Sequence, residues 1–497
     1  MSETTTRRRL ATALAAAVLA APPVLAGCAA TGDATHERSA LATTPSADGR
    51  PRHPGELKFD PPAYELRKTQ RVVLSNGMVL HLMEDRALPL VDASAYFRGG
   101  SVFDPPGKEG LASLACGLIR SGGTTTLPAD KLDEELDTLA GSVGVGAGNE
   151  SLSASFSFLS KDLDRGLALF SDVLRNPAFD DGRFKASKAQ ALQGLQRAFQ
   201  NPGSVLSRMF SSTAYGGHPY GRLVTQESLQ SITVEDVKAF HAKWFHPETF
   251  ILSVAGDFKT DDLVAKLEKA FAGWAKSAEP LPQWPEPFAR AYPGGHVVVA
   301  MPGIDQTNLR MGHWGPPDHS VDRVHLDVAN LILGGGGFWS RMTKVVRTKE
   351  GLAYSVGSGL SRNSQGGLFQ AATQTKASTT YRAASLMKKL IEEIRDTPVT
   401  QEDLDLAKDS ILNGFVQNIE SPASLASQYA SLEYRGFPAD WLEKYLGIVR
   451  SMTVEDATRV TKEYLKPESL LLVVVGDPKA FDAAPEHFGP ATQAAPK

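Results

Sequence analysis

The chain has few of the residues that build small covalent or metal-stapled folds. It contains two cysteines in 497 residues, which excludes a disulfide framework and a four-cysteine zinc site. The H-E-x-x-H zinc motif is absent, and no histidine occurs between His81 and His218. The net charge of −4 provides no broad basic surface, so the sequence gives no indication of nucleic-acid binding.

The remaining composition is that of a folded, water-soluble protein with more than one core. Hydrophobic residues make up 42% of the chain and charged residues 22%, close to the average for globular domains. A chain of 497 residues is long enough for two to four domains.

Residues 1–28 have the features of an export signal rather than of a folded segment. Arg7–Arg9 provide a positive start, and Leu10–Ala21 is an apolar run too short to span a bilayer comfortably. Leu25-Ala26-Gly27-Cys28 resembles the lipobox of bacterial lipoproteins, which implies cleavage before Cys28 and acylation of that residue. A plain secretory signal with an incidental cysteine is the alternative, and the arginine run leaves twin-arginine export open.

The segment after the signal predicts a tether to a membrane. Residues 29–65 are rich in small and polar residues without apolar periodicity, which is typical of a solvated linker. Several acyl chains on Cys28 would anchor the protein stably. Ala29 is not acidic, which by resemblance favours the periplasmic face of the outer membrane. We therefore expect a lipid-anchored protein of the cell envelope.

The ordered part of the chain predicts an α+β fold. Arg71–Leu82 contains two β-rich runs around Asn76-Gly77, a strong hairpin signal. Ser151–Phe158 alternates polar and apolar residues, which indicates a strand with one buried face. Helical patterns separate these strands, so we expect mixed sheets backed by helices.

A long internal repeat indicates that the chain is a tandem duplication. Ile232–Asp257 and Met452–Asp477 match at an offset of 220 without an insertion, and Thr233 and Thr453 both have the pattern of a helix N-cap. The sequence therefore predicts two homologous domains.

The predicted boundaries follow from the repeat and from the proline content. The domains are expected at 66–275 and 296–480, joined by a proline-rich linker at 276–295 and followed by a disordered tail at 481–497.

The stretch Glu109–Thr124 reads EGLASLACGLIRSGGT and is expected to be a buried helix, because it is apolar almost all round. Paired glycines end it at Gly122-Gly123. Cys116 in such a helix is expected to be an inert core residue rather than a reactive thiol.

Several motifs together resemble the pitrilysin/insulinase family of zinc metallopeptidases, the inverzincins, whose helix carries H-x-x-E-H. The matching segments are Asn76-Gly77, the Glu109–Thr124 helix, His218-Pro219-Tyr220-Gly221, the two duplicated endings, Gly334–Arg341 and Arg347–Tyr354. The resemblance covers residues 66–480. It implies a metallopeptidase-like fold of the processing-peptidase type, with two tandem domains forming half of a clamshell.

The same resemblance shows which chemistry is missing. Aligned with the family motif, the two zinc histidines fall on Ser113 and Gly117, the glutamate base on Cys116, and the third ligand on Gly194. A catalytic zinc ion needs three protein ligands and an activated water. We therefore expect no metal and no cofactor in this chain, and no zinc hydrolysis by the chain alone.

The second domain keeps the family's other functional pair. By resemblance, Arg347 and Tyr354 would reach the substrate at a zinc ion, the arginine gripping a peptide carbonyl and the tyrosine donating to the oxyanion. The plainer interpretation places Arg347 in the last turn of a helix and Tyr354 at the start of a strand.

The glycine run Gly334, Gly335, Gly336 and Gly337 allows two interpretations. It is either a flexible loop that engages peptide, as in a non-catalytic subunit of the related mitochondrial processing enzyme, or a turn after a helix at 321–333. Phosphate binding is not indicated, because no Walker pattern follows.

These features favour a non-catalytic, substrate-binding subunit of a two-chain zinc peptidase. The resemblance implies a partner with H-x-x-E-H that holds the zinc, in a heterodimer or heterotetramer, and a peptide substrate. The alternative is a silent envelope scaffold or peptide-binding lipoprotein, which would bind without hydrolysis. A third hypothesis, an autonomous hydrolase with unusual chemistry, predicts activity in the isolated chain.

Overall fold

The structure is a computed structural model that describes residues 65–284 and 294–496. The signal, the tether and Cys28 lie outside the described residues, as does much of the proline-rich linker. All described residues belong to one compact unit. None of the helices in the described ranges has the length and apolar character needed to cross a bilayer.

The first repeat contains a six-stranded sheet and eight helices within 65–284. Its strands are β1 (Gln70–Val73), β2 (Val79–Glu84), β3 (Leu90–Phe97), β4 (Ser142–Ala147), β5 (Leu152–Leu159) and β6 (Ile251–Gly256). Its helices are α1 (Leu111–Ser121), α2 (Ala129–Thr138), α3 (Leu163–Arg175), α4 (Asp181–Gln200), α5 (Pro202–Tyr215), α6 (Gln226–Ser231), α7 (Val234–Trp244) and α8 (Thr260–Ala270).

The second repeat, within 294–496, has the same plan. Its strands are β7 (Gly295–Ala300), β8 (Gln306–Trp314), β9 (Ala353–Leu360), β10 (Leu368–Lys376), β11 (Leu471–Gly476) and β12 (Ala491–Ala494). Its helices are α9 (Arg323–Asn330), α10 (Thr380–Asp396), α11 (Gln401–Ile419), α12 (Pro422–Tyr434), α13 (Trp441–Ser451) and α14 (Val454–Tyr464). Two π-helical segments, Leu331–Gly335 and Thr343–Lys349, lie between α9 and β9.

Five of the six strands in each sheet share one topology, which confirms the predicted duplication and the α+β class; the sixth differs, since β1 is antiparallel to β2 and β12 is parallel to β7. The two strand orders are β1-β2-β6-β3-β5-β4 and β12-β7-β11-β8-β10-β9. Each sheet is mixed, because β2 pairs in parallel with β6, and β7 with β11, while the other central pairs are antiparallel. Strands β4 and β9 therefore occupy matching edges of their sheets.

The predicted local signals form as expected. Asn76 and Gly77 lie in the turn between β1 and β2, which pair antiparallel, and Gly77 takes a φ of 95° that favours glycine. Thr233 and Thr453 each close a capping box with the aspartate three residues later, Asp236 or Asp456. The repeat in the sequence is thus a repeat in hydrogen bonding.

Each repeat packs one of its helices against the sheet of the other repeat. Helix α5 of the first repeat packs on β8 and β11, and α12 of the second packs on β2, β3 and β6. Glu433 on α12 connects the two repeats: Arg71 Nη2 on β1 donates to its Oε1 at 2.8 Å, and His81 Nε2 on β2 lies 2.8 Å from its Oε2. Burial is the main reason why the pKa of His81 lies below its usual value. The exchange joins the two halves into one body.

The C-terminal segment corrects one prediction. The sequence predicts a disordered tail over 481–497, because chain ends are often poorly ordered. The structure instead places β12 (Ala491–Ala494) on the edge of the second sheet, parallel to β7. The exposed edge of β7 supplies hydrogen-bonding groups that local composition does not reveal.

Candidate functional site

Helix α1 is anchored at its start by a buried carboxylate. Asp104 accepts hydrogen bonds from the backbone nitrogens of Gly110 at 2.8 Å and Ala112 at 2.9 Å. The first N–H groups of a helix have no acceptor within the helix, and Asp104 provides one for α1. Burial nevertheless raises the pKa of Asp104 to about 6, against the opposing effect of the backbone donors, to which Leu111 also contributes.

The sequence predicts a helix that is apolar almost all round, and the structure corrects this for one face of α1. Leu111, Leu114 and Leu118 are buried in the core of the first repeat, whereas Ser113 and Gly117 are exposed. Serine and glycine are small and only weakly polar, so they change the mean hydropathy of the segment little. The exposed face is therefore not evident from the sequence.

The four positions that correspond to the family's zinc site are distributed over α1 and α4, which pack against each other. Ser113 and Gly117 face solvent, while Cys116 is only 1% exposed and points into the core. A Cβ atom built at Gly117 or Gly194 would meet nothing within 4 Å. The surface is open at these positions and lacks side chains that bind a metal ion.

These residues do not fit a zinc ion. Serine is a poor zinc ligand, glycine offers none, and the Cys116 thiol is buried with a pKa raised to about 12 by burial. Within the described ranges, no group of three or more His, Cys, Asp or Glu residues is arranged to hold a metal ion. The first repeat therefore retains the helices of the site without its donors.

The glycine run of the second repeat forms the end of a helix rather than an open loop. Gly334 and Gly335 belong to the π-helical segment that continues α9, and a Cβ atom on Gly334 would lie 2.6 Å from Ser358 N on β9. Gly337 has a φ of 62°, where glycine is favoured. The run lets the helix end lie directly on the edge strand, and π-helical turns are common at functional sites.

Arg347 is held between two aromatic rings on the surface. It lies in the second π-helical segment, with its Cζ atom 4.6 Å from the ring centroid of Phe338 and 4.9 Å from that of Tyr354. The Phe338 side chain is 72% exposed, and Tyr354, on the edge strand β9, is 85% exposed. We call Phe338, Arg347 and Tyr354 the surface stack.

The surface stack combines groups suited to binding a peptide. A guanidinium held over aromatic faces keeps edge N–H groups for carbonyl oxygens, and the phenol of Tyr354 is a donor. Sequence reasoning identified Arg347 and Tyr354 but missed Phe338. The neighbouring glycines were a signal of an unusual backbone, but not of a ring turned out to solvent.

The other family-like motif, His218-Pro219-Tyr220-Gly221, serves to join the two repeats. His218 Nδ1 accepts from the backbone nitrogen of Tyr220 at 3.1 Å, and its Nε2 lies 3.1 Å from Gln365 Oε1. The Tyr220 hydroxyl donates to Glu150, whose carboxylate also accepts from Ser364 N. Burial and this carboxylate raise the pKa of Tyr220 above its usual value.

Comparison with known families places both repeats in one group of proteins. Residues 83–228 match the family described as "Insulinase (Peptidase family M16)", and residues 231–411 match "Peptidase M16 inactive domain". The two matches together cover most of the two repeats.

Individual proteins with similar sequences and structures agree with these matches. An uncharacterized zinc protease of Rickettsia bellii is 25% identical over 395 residues, or 78% of this chain and 93% of that protein. The non-peptidase homolog YmxG of Helicobacter pylori is 26% identical over 80% of this chain and 91% of its own length. A peptidase M16 inactive domain from Pseudomonas fluorescens superposes with a TM-score of 0.75 at 26% identity, covering 83% of this chain and 98% of that one.

Proposed function

This chain belongs to the insulinase family of zinc metallopeptidases, in which it fits the inactive type of member, and we propose that it is the non-catalytic, substrate-binding subunit of a two-chain peptidase. Its partner would be a family member that carries H-x-x-E-H and holds the zinc ion. This chain would supply Arg347 and Tyr354 to the partner's active site.

The surface stack is the observation that carries this proposal. An 85% exposed tyrosine and a 72% exposed phenylalanine bury little apolar area, so they add little to the stability of the fold. Exposed apolar groups that cluster around a charged residue are typical of interaction sites. A role in binding accounts for an arrangement that folding does not require.

The proposed chemistry uses only groups that this chain presents. The Arg347 guanidinium would donate to a carbonyl oxygen of the bound peptide and hold that carbonyl in place. The Tyr354 hydroxyl would donate to the oxygen that gains negative charge as the peptide bond is attacked. The attacking water and its activation would be contributed by the partner.

The sheet edges support a mode of peptide binding. Strand β4 ends its sheet, and its outer backbone groups have no partner strand within the described ranges. An extended peptide can add to such an edge through main-chain hydrogen bonds. On β9, by contrast, the side chains of Asn330 and Thr343 donate to the backbone oxygens of Ser358 and Val356. We therefore place the peptide strand at the edge of β4.

We also propose where the complex works. A lipid on Cys28 would hold the chain on the periplasmic face of the outer membrane, with residues 29–65 as a tether. The clamshell formed with the partner would then process peptides in the cell envelope.

The alternative function is a scaffold or peptide-binding lipoprotein without any part in hydrolysis. The lack of metal-binding side chains at Ser113, Gly117 and Gly194 is compatible with it. It differs from the first proposal in one outcome: peptides would bind, but no partner would gain activity from the chain.

Reconstitution separates these functions. The chain without its signal is mixed with a family member that carries H-x-x-E-H from the same cell envelope, and cleavage of a quenched fluorescent peptide library is followed. We expect a stable heteromeric complex on gel filtration and cleavage by the complex that neither chain shows alone. A complex without cleavage would support the scaffold function. If no complex forms, both the proposed partner and the proposed contribution of this chain to the partner's active site are contradicted.

A further inference from the structure

A cavity of about 500 Å³ lies among the helices of the second repeat. Residues of α9, α11, α12 and α13 line it, together with Tyr96 on β3 of the first repeat. Its volume is within the range of about 300–1,000 Å³ that small-molecule pockets occupy. We call it the arginine cavity, because of its charged lining.

Every charged residue that lines the arginine cavity is cationic: Arg323, Arg362 and Arg435. The carboxylates that pair with these arginines, Asp318 and Asp327, are not among the residues that line the cavity. Arg435 Nη1 donates to Asp318 Oδ2 at 2.9 Å, and Arg362 Nη2 donates to Asp327 Oδ2 at 2.6 Å. Three guanidiniums thus share two carboxylates, which leaves a surplus of positive charge at the cavity wall.

Arg323 is the cation that this arrangement leaves least satisfied. It is 9% exposed, and its Nη1 lies 3.1 Å from Asp318 Oδ1 without the geometry of a hydrogen bond. Neither its Nε nor its Nη1 has a hydrogen-bond partner in the part of the chain that the structure describes. A buried donor without an acceptor is costly, and arginine keeps its charge when buried. These two nitrogens are closed to solvent and the guanidinium lies over the Phe437 ring, so an anion in the cavity would act on the surplus charge rather than accept from them.

The rest of the lining indicates what the anion is attached to. Trp441, Leu442 and Ile411 provide apolar surface, and the uncharged polar side chains of the lining include Ser410, Asn418, Ser427, Gln428 and Ser431. Guanidinium forks match the two oxygens of a carboxylate, while the apolar surface suits a hydrocarbon body. The lining is therefore amphipathic.

The cavity occupies a position related by the duplication to the first repeat's degenerate metal site. Gly414 on α11 lines the cavity and lies 220 residues after Gly194 on α4, the same offset that relates Asp181 to Gln401 at the starts of these helices. A Cβ atom at either glycine would meet nothing within 4 Å. Both repeats leave open space over this helical position.

We propose that the arginine cavity binds a small organic carboxylate with an apolar body. The C-terminal residue of a peptide and a free carboxylic acid present the same chemistry and differ in what precedes the apolar group. This site uses none of the residues of the surface stack, so it does not depend on the proposed peptidase role.

Calorimetric titration of the full mature chain tests the ligand class. The probes are N-acetyl-alanyl-leucine as the free acid, the same dipeptide as its C-terminal amide, and 4-methylpentanoate, which keeps the carboxylate and the hydrocarbon but lacks the peptide. We expect the dipeptide acid to bind at least tenfold more tightly than its amide. Binding of 4-methylpentanoate as tight as that of the dipeptide acid assigns the site to free acids, and much weaker binding assigns it to peptide C-termini.

Two matched glycine variants test the place of binding. Gly414→Leu projects a side chain into open space in the cavity and should weaken binding of the preferred acid at least tenfold without unfolding α11. Gly447→Leu makes the same change at an exposed position of the neighbouring α13 and should bind as the wild type does.

A charge variant tests the role of Arg323. Arg323→Met removes the cation while Asp318 keeps its hydrogen bond from Arg435, so the fold should survive, as circular dichroism will show. Binding of the preferred acid should weaken at least tenfold. The proposal is overturned if acid and amide bind alike, if neither acid binds the wild type, or if Gly414→Leu binds as the wild type does.

Discussion

The two repeats share a scaffold but differ in the chemistry they present. Five strands of each sheet follow the same order, and α4 and α11 begin 220 residues apart. On the first repeat, the surface of α1 bears Ser113 and Gly117, and Cys116 is absorbed into the core. On the second repeat, the arginine cavity lies at the corresponding position of α11, and the surface stack lies beside the edge strand β9.

This difference separates what the fold needs from what a reaction needs. The residues at the metal positions of α1 suit a helix that folds without an ion, since Cys116 packs as a small hydrophobic side chain. The surface stack instead leaves two aromatic rings in solvent, where they add little to stability. Packing accounts for Cys116 in the first repeat, whereas packing does not account for the exposed rings of the surface stack.

The largest expected effect is a gain of bound zinc. It tests whether the first repeat lacks a metal site only because it lacks the ligand side chains. The triple variant Ser113→His, Gly117→His, Gly194→Glu places three zinc ligands on α1 and α4, where the two glycine positions have open space. We expect bound zinc to rise from none to about one ion per chain. Metal analysis after dialysis measures this.

The matched control for the triple variant is Ser113→His, Gly117→His, which lacks the third ligand. It should lose its zinc on dialysis against a weak chelator. A folded triple variant without zinc would show that the backbone of the site has changed as well.

The next largest effect concerns the surface stack. Arg347→Ala should lower peptide cleavage by the reconstituted complex at least tenfold, because a charged donor to the substrate is lost. Tyr354→Phe should have a comparable effect through loss of its hydroxyl. Lys349→Ala, an exposed cation on the same π-helical segment, is the control and should leave turnover unchanged. Equal turnover in all three variants would contradict the assigned roles.

A third prediction contrasts the carboxylates at the starts of α1 and α9. Asp104 has a pKa raised to about 6, so its charged form is disfavoured in the folded state. The stability of the wild type relative to Asp104→Asn should therefore fall as the pH rises from about 4 to 6, by on the order of 1–3 kcal/mol. Urea unfolding across this pH range measures the slope.

The comparison variant should show the opposite slope. Asp322, which accepts from Arg459 Nη2 at 2.5 Å, has a pKa lowered mainly by that hydrogen bond. Its contribution is present above its unfolded pKa of about 3.8 and is lost as the pH falls. Relative to Asp322→Asn, the wild type should gain stability as the pH rises towards about 3.8 and should change little above that pH. Stability that falls with rising pH at Asp322, or that rises between pH 4 and 6 at Asp104, would contradict the difference between these sites.

The smallest predicted effect concerns Phe338. A cation–π contact at an exposed site contributes about 0.5–1 kcal/mol, so Phe338→Ala should weaken peptide cleavage by the complex about two- to fivefold. The loss should appear mainly in KM, since the ring orients Arg347 and does not touch the reacting atoms. A loss as large as that of Arg347→Ala would mean that Phe338 contacts the substrate itself.

Local patterns in the sequence were sufficient for the scaffold. The turn at Asn76-Gly77, the alternation of Ser151–Phe158 and the paired caps at Thr233 and Thr453 each depend on neighbours within a few residues. Such signals are visible without knowledge of the tertiary fold. They predicted the mixed sheets and the duplication.

Contacts between distant segments were beyond reach of the same reasoning. Arg323, Arg362 and Arg435 meet at one cavity although more than a hundred residues separate the first from the last. Arginine is common on surfaces, so its burial is not readable from periodicity. The exposure of Phe338 could not be predicted for the converse reason, because a phenylalanine in a sequence is normally expected to be buried in the core.

The central claim, that this chain cannot hold the catalytic metal, is tested most directly by metal analysis of the purified mature chain alone, combined with a peptide cleavage assay. We predict far less than one zinc per chain and no cleavage until a zinc-bearing partner is added. One tightly bound zinc per chain, together with cleavage by the single chain, would contradict the account.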